Sequence, residues 1–233
     1  MKNVLVFDLW GDLGHFRKPY TTTSPLSFAF PPRPTLAGII SAIIGLGKTE
    51  YADSFMKKDA NIGLSILKPV KKIRISQNLI DTKTAKLFSR IKQRTQIRIE
   101  YVREPKYRIY FQHRDEKLFE SLKRLLIMHE SVFTVSLGLS ELLANFQYIG
   151  EFNLEQKTSH EPIAIHSVVP DQATEVMFEE GKEYFSANIP LEMDSNRIVT
   201  QFGTVLYERN GKPLFAKTEY YYNVENGEKI LFL

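Results

Sequence analysis

The chain has 233 residues, 43% of them hydrophobic, a formal net charge of +4 and no cysteine. That length holds one large domain or two small ones, and the apolar fraction is enough for a buried core. Disulfides, thiolate metal sites and cysteine nucleophiles are excluded, and with neither a signal-peptide pattern nor a run of roughly 18 apolar residues, the sequence predicts a soluble, cytoplasmic protein.

Asn3 to Leu9 is short, β-branched and apolar on both sides, which predicts a strand in the centre of a sheet. Residues 10 to 34 follow without helical or strand periodicity. Long ordered connections of this kind are usually functional, and Pro19, Pro25, Pro31, Pro32 and Pro34 limit the freedom of this one. Thr35 is placed to cap a helix running to about Leu46, with Gly45 and Gly47 ending it. Gly38 and Ala42, four apart, give that helix a narrow face for close approach to a sheet. Residues 51 to 58 add a helical turn, and Asn61 to Leu67 alternates as a second strand. Strand, helix, strand makes a βαβ unit with a right-handed crossover.

Residues 68 to 114 hold 14 Lys/Arg against 3 Asp/Glu, whereas residues 150 to 233 hold 7 against 14. This separation points to a polyanion-facing surface and a second, acidic surface for a basic partner, the plainer reading being a solvated basic face. Within the basic stretch, Gln96 to His113 reads as a hairpin turning near Glu104-Pro105, with Arg98 and Arg108 on one face and Arg103 and Lys106 flanking the tip. Asp115 caps the next helix, whose apolar stripe is Leu118, Leu122, Leu125 and Leu126. Val132 to Leu139 is strand-like, Ser140 caps a short helix through Phe146, and Tyr148 to Leu154 is a strand. The last third is β-rich, with hairpin turns expected at Glu180-Gly181, Asn210-Gly211 and Asn226-Gly227. The whole reads as α+β: a split βαβ, ferredoxin-like plan over residues 1–155, with a basic hairpin inserted, and a β-rich region over 156–233.

Four readings of the chemistry compete. Residues 42–49, AIIGLGKT, nearly fit a phosphate loop, but Ala replaces the first Gly, Ile43 and Ile44 are stiff, and the run continues a helix rather than following a strand. Scattered histidines give no metal-binding spacing, and no cofactor is implied. Metal-free ribonuclease chemistry needs a base, an acid and a cation. His15, Lys18 and Tyr20 share one loop and Lys106, Tyr107 and His113 one hairpin, so the parts exist, although such parts are common in a basic chain. Phosphate and ribose binding fits the loop better: Arg17 and Lys18 stand beside Thr21, Thr22, Thr23 and Ser24, with Phe16 and Tyr20 placed to stack on bases. The plainer alternative is that the aromatics pack the loop and the hydroxyls cap turns.

The stretch HFRKPYTTTSPLSFAFPPRPTLAGIISAIIGL resembles the N-terminal signature of the Cas five family, and LGLSELLANFQYIGEF its second, weaker motif. These are CRISPR-associated RAMP-superfamily subunits of type I Cascade complexes, and the type I-B branch is the most similar. The resemblance implies a ferredoxin-like (RRM-like) palm, a β-hairpin thumb at about residues 68–113 and a variable C-terminal antiparallel β region. It implies a non-catalytic subunit that caps the 5′ handle of crRNA in antiviral defence and meets the backbone and large subunits, with target DNA near the PAM a further candidate partner. The handle-binding loop maps onto Phe16, Arg17, Lys18, Pro19, Thr21, Thr22, Thr23 and Ser24, joined in the candidate surface by Tyr20, Arg33, Arg98, Arg103, Lys106 and Arg108. One branch of the family cuts precursor crRNA with a Tyr, a Lys and a His, a trio with no position-by-position match here.

Overall fold

Val4 to Leu9 are buried on both faces of a strand that lies inside a six-stranded sheet. The computed structural model describes residues 3–21, 23–47, 50–80, 94–159, 161–171 and 174–233. The first half runs β1 (Asn3–Gly11), β2 (Leu13–Gly14), α1 (Arg33–Ile44), α2 (Tyr51–Ser54), β3 (Ala60–Ile66), β4 (Lys71–Ile80), β5 (Arg94–Arg103), β6 (Lys106–His113) and α3 (Glu116–Met128). The second runs β7 (Ala144–Lys157), β8 (Ile163–Ile165), β9 (Val169–Pro170), β10 (Thr174–Met177), β11 (Tyr184–Met193), β12 (Val199–Glu208), β13 (Leu214–Thr218), β14 (Tyr221–Val224) and β15 (Lys229–Ile230).

The fold is mixed α and β, mostly strands, and its strand pairings are antiparallel. The main sheet has the order β15-β14-β7-β1-β6-β3. Strands β1 and β3 both pair antiparallel with β6, so they point the same way with β6 between them. One face of the sheet packs Leu5, Phe7, Leu9, Ile109 and Phe111 against α1 and α3. On the other face Val4, Val6 and Tyr110 are covered by Val224 and Ile230. Both faces of β1 are therefore dry, and that is why this strand reads as a continuous apolar run rather than an alternating one.

Helix α3 starts where expected: the Asp115 carboxylate accepts from the Lys117 and Leu118 N–H groups. Helix α1 starts earlier. Pro32, not Thr35, is its N-cap, because a proline in the first turn has the right φ and no N–H left unsatisfied. Its end is as expected, with Gly45 left-handed at φ 85°. Gly38 does not meet a sheet. The nearest atoms to an added Cβ belong to the Tyr51 ring, at 3.9–4.0 Å.

Strand pairing departs from the sequence in three places. β5 and β6 do not form a hairpin with each other: β5 pairs with β4 and β2, while β6 enters the main sheet. The turn at Glu104 (φ 49°) thus passes the chain from one sheet to another. Likewise Gly181 and Gly211 are left-handed turns, but β10 and β11 do not pair, nor do β12 and β13. The sheets are β10-β13-β8 and β11-β12-β9, and of the three expected hairpins only β14–β15 forms. Third, residues 132–143 form an irregular loop rather than a strand and a Ser140-capped helix. Gly138 sits at φ 101° where a Cβ would strike the His15 carbonyl, and Leu139 and Leu142 pack beneath the β4–β5 hairpin.

Among the described residues no helix is long and apolar enough to cross a membrane, and no group of His, Asp or Glu is arranged to hold a metal ion.

Candidate functional site

The loop after β2 is built as a pinned reversal. Its limbs are joined by an Arg17–Ser27 bridge, by Lys18 N–H donating to the Leu26 carbonyl at 2.9 Å and by Phe28 N–H donating to the Phe16 carbonyl at 2.8 Å. Thr21 locks the turn from inside. Its hydroxyl donates to the Lys18 carbonyl at 2.8 Å and accepts from the Leu26 N–H at 3.1 Å. What remains outward is Arg17, Pro19, Tyr20, Thr23 and Ser24, with Tyr20 70% exposed. Thr22 lies outside the described residues. Phe16 is a core residue, 2% exposed and edge-on to Tyr107, so it anchors the loop instead of offering a ring for stacking. Of the loop hydroxyls, Thr21 is a turn pin and Thr23 and Ser24 are open.

Strands β4 and β5 pair from Lys71↔Arg103 to Ile80↔Arg94. Paired residues share a face and successive ones alternate. Ile73, Ile75, Ile97, Ile99 and Tyr101 therefore lie on one face, against Leu13, Leu139 and Leu142. Lys72, Arg74, Arg94 and Arg98 lie on the other. Arg98 is on this open cationic face, as expected of a phosphate-contacting arm. Arg103 falls on the opposite face at the base, 3.7 Å from Glu104.

Glu100 ties this hairpin to the loop. Its carboxylate receives Lys72 Nζ at 2.9 Å and the Ser27 N–H at 3.2 Å, its own N–H donates to the Pro25 carbonyl, and its carbonyl meets His15 Nδ1 at 2.7 Å. Burial would raise the Glu100 carboxyl, but Lys72, Ser27 and Arg74 outweigh it and hold the group below the usual carboxylate range.

Three predicted cations are placed differently from the rest. Arg33 is 2% exposed, donates to the carbonyls of Ala60 and Leu191, and is pushed down to about 10 by burial, with Glu192 acting in the opposite sense. Lys106 and Arg108 are on β6, in the main sheet. Arg108 bridges Asp8 at 2.8 Å and Glu228 at 2.9 Å, and Lys106 lies 3.5 Å from Asp8 and over the Trp10 ring. These side chains neutralise a buried carboxylate and are not part of the hairpin, because β6 leaves the hairpin for the sheet.

Between the loop, the hairpin base and the β11–β12 sheet is a cavity of about 900 Å³. Lys18, Tyr20 and Phe28 line it from the loop, Val70 and Lys72 from the hairpin, and Phe185, Phe202, Tyr207 and Arg209 from the far wall. Phe185 and Tyr207 stack with centroids 5.8 Å apart at 22°, and Phe185 and Phe202 remain 44% and 48% exposed. Three cations around open aromatic faces suit single-stranded nucleic acid: phosphates meet the charges and unstacked bases meet the rings. Nothing in the sequence points to the far-wall residues, since alternation in a strand cannot say which neighbour it will face.

Two of the groups considered for acid–base chemistry, His113 and Tyr107, are engaged elsewhere. His113 accepts the Asp115 N–H at Nδ1 and donates from Nε2 to the Ser54 carbonyl, and the Tyr107 hydroxyl, fully buried, donates to the Ala29 carbonyl. Residues 42–44 of the phosphate-loop-like run are helical, and Lys48 and Thr49 lie outside the described residues.

A family model described as CRISPR-associated protein (Cas_Cas5) matches residues 4–206. No curated protein sequence matches the chain. Among solved structures, a CRISPR protein from Archaeoglobus fulgidus is similar over 98% of both chains, with 16% identity and a TM-score of 0.59. A chain of a CRISPR RNA-guided surveillance complex is similar over 90% of this chain and 91% of that one, with 14% identity and a TM-score of 0.54. A chain of a type III-B Cmr-beta complex bound to cognate target RNA and AMPPnP matches over 92% and 86%, with 12% identity and a TM-score of 0.51.

Proposed function

Because the chain belongs to the CRISPR-associated Cas five family, we propose that it is a non-catalytic crRNA-binding subunit of a type I Cascade surveillance complex, holding the 5′ handle of crRNA and abutting the backbone and large subunits. The order β7-β1-β6-β3 with two helices on one face fits the ferredoxin-like palm of that reading, and the β4–β5 hairpin fits its thumb. The observation that carries it is continuity: the Arg17–Ser24 loop, the cationic hairpin face and the aromatic cavity adjoin through Lys18, Lys72 and Glu100. Handle RNA lies along this surface with its phosphates on Arg17, Lys18, Lys72, Arg74 and Arg98. The non-catalytic part is supported by His113, both of whose ring nitrogens are committed to backbone groups, and by the Tyr107 hydroxyl, which is committed to the Ala29 carbonyl.

The test is the purified chain with labelled repeat RNA in EDTA, read on native and denaturing gels together. The expected outcome is a shift without cleavage, weakened when Arg17 and Lys18 both become Ala, with the salt slope reduced by about 0.7 for each phosphate no longer neutralised. A discrete cut would instead make it a processing nuclease. A salt-independent affinity would remove the electrostatic argument.

A further inference from the structure

A second cavity, of about 390 Å³, lies on the other side of the same loop. One wall is the face of α1 that carries Thr35, Gly38 and Ala42, the small-residue face expected to press against a sheet. The opposite wall is the irregular loop with Thr134, Ser136 and Gly138. Among the described residues two arginines line the cavity, Arg17 and Arg197, and no Asp or Glu does. Arg17 spends one N–H on the Thr21 carbonyl at 3.3 Å. The Arg197 guanidinium makes no hydrogen bond or ion pair among the described residues.

Arg197 is also held in an unfavourable backbone conformation, with φ at 65°. A non-glycine residue there costs about 1–3 kcal/mol, and such strain persists only where the surroundings enforce it. Here Asp194 enforces it: its carbonyl accepts the Arg197 N–H at 2.9 Å and its carboxylate accepts the Ile198 N–H at 2.7 Å. The acid of this turn is thus committed to the backbone, and the cation is left exposed on the rim.

We infer that this second cavity is a binding site for the sugar-phosphate backbone of single-stranded RNA, in which Arg197 and Arg17 hold a phosphate and the Thr35, Thr134 and Ser136 hydroxyls meet ribose or phosphate oxygens. The inference rests on the RNA-binding reading above and extends it to a surface that shares only Arg17 with that reading. The chain places Arg17 on the second cavity and Lys18 and Tyr20 on the first. A strand crossing the loop therefore meets the aromatics on one side and Arg197 on the other. Two guanidiniums suit this task because each presents a planar fork of donors to phosphate oxygens.

The test uses the full chain and a labelled single-stranded repeat RNA, with affinity measured across a salt series. Arg197→Gln is expected to weaken binding about tenfold, as for the removal of one charge-assisted hydrogen bond, and to lower the salt slope by about 0.7. Arg197→Gly is the companion. It relieves the left-handed backbone, so its urea midpoint does not fall, yet it weakens binding and lowers the slope to the same extent. Lys217→Gln, the same charge change on an exposed lysine of β13, serves as the control and leaves both unchanged. If the unmodified chain binds RNA and both Arg197 variants match the Lys217 control, the second cavity is not an RNA site and the handle-binding reading stands. If the unmodified chain shows no binding at any salt, both fall together.

Discussion

Two arginines of like appearance in the sequence, Arg98 and Arg108, do opposite work. Arg98 is exposed on the hairpin, whereas Arg108 joins Asp8, 4% exposed, to Glu228. Removing Arg108 leaves a buried carboxylate with only Lys106 near it, a change of the kind that costs about 3 kcal/mol or more. Arg108→Ala should therefore lower the urea midpoint sharply. Arg98→Ala should leave stability within about 0.5 kcal/mol and act on the salt slope of RNA binding instead. Equal effects of the two on stability would contradict the placement.

Glu208 carries a pH dependence of defined sign. It is 2% exposed, and its carboxylate accepts from the N–H groups of Glu183, Asn210 and Lys212 and from the Asn210 side chain. Burial would raise this carboxyl, but those donors outweigh it and hold it below the usual range. A depressed carboxyl stabilises the fold above its unfolded value, about 4.3, and the contribution is lost as pH falls through the folded value. Glu208→Gln should cost about 2 kcal/mol at pH 7, and the gap to the unsubstituted protein should close as pH drops below about 4. Urea unfolding at pH 7 and pH 3 measures it, and a gap that stays constant would exclude the linkage.

At the scale of elements, helix α1 offers a substitution whose outcome follows from its surroundings. An added methyl at Gly38 meets only the Tyr51 ring at ordinary van der Waals distance. The helix gains propensity, so Gly38→Ala should stabilise the protein by about 0.5–1 kcal/mol, read as a rise in thermal midpoint. A fall would mean that Tyr51 presses on this face of the helix more closely than 3.9 Å.

Much of the main sheet was legible in the sequence. The unbroken apolar run of β1, the Asp115 cap and the left-handed Gly45 are local signals, and each stands where its residues place it. The pairings of β5, β10 and β12 were not legible, because Gly181 and Gly211 fix a reversal and say nothing about which strand lies alongside. The physical reason for the first of these is burial. β5 alternates in burial while β6 is almost wholly buried, and two strands in such different surroundings make poor hairpin partners. For the site, Arg17, Lys18 and Tyr20 could be named from their loop. Phe185, Phe202, Arg209 and Arg197 could not, since only the tertiary fold brings the acidic third of the chain to the loop.

Over the whole molecule, the charge segregation seen along the sequence is partly cancelled in space. Glu228 and Asp8, both outside the basic segment, neutralise Arg108, and Asp8 also lies beside Lys106. The net of the basic segment therefore overstates the field presented to a polyanion. The exposed remainder is concentrated on the hairpin face and the loop, so RNA affinity should depend on a few identifiable cations rather than on bulk charge.

The sheet built on β1 has a further consequence, in the order of its making. Its neighbours β6 and β7 arrive well after it, and β14 and β15, which extend β7 and bury Val4 and Val6, arrive only with residues 221–230. While the ribosome works through the intervening stretch, the nascent sheet carries an unpaired strand edge and a bare apolar face. Its completion is set by when translation reaches β14, so a pause in synthesis upstream of that point would prolong the interval in which the half-made sheet can pair with something else.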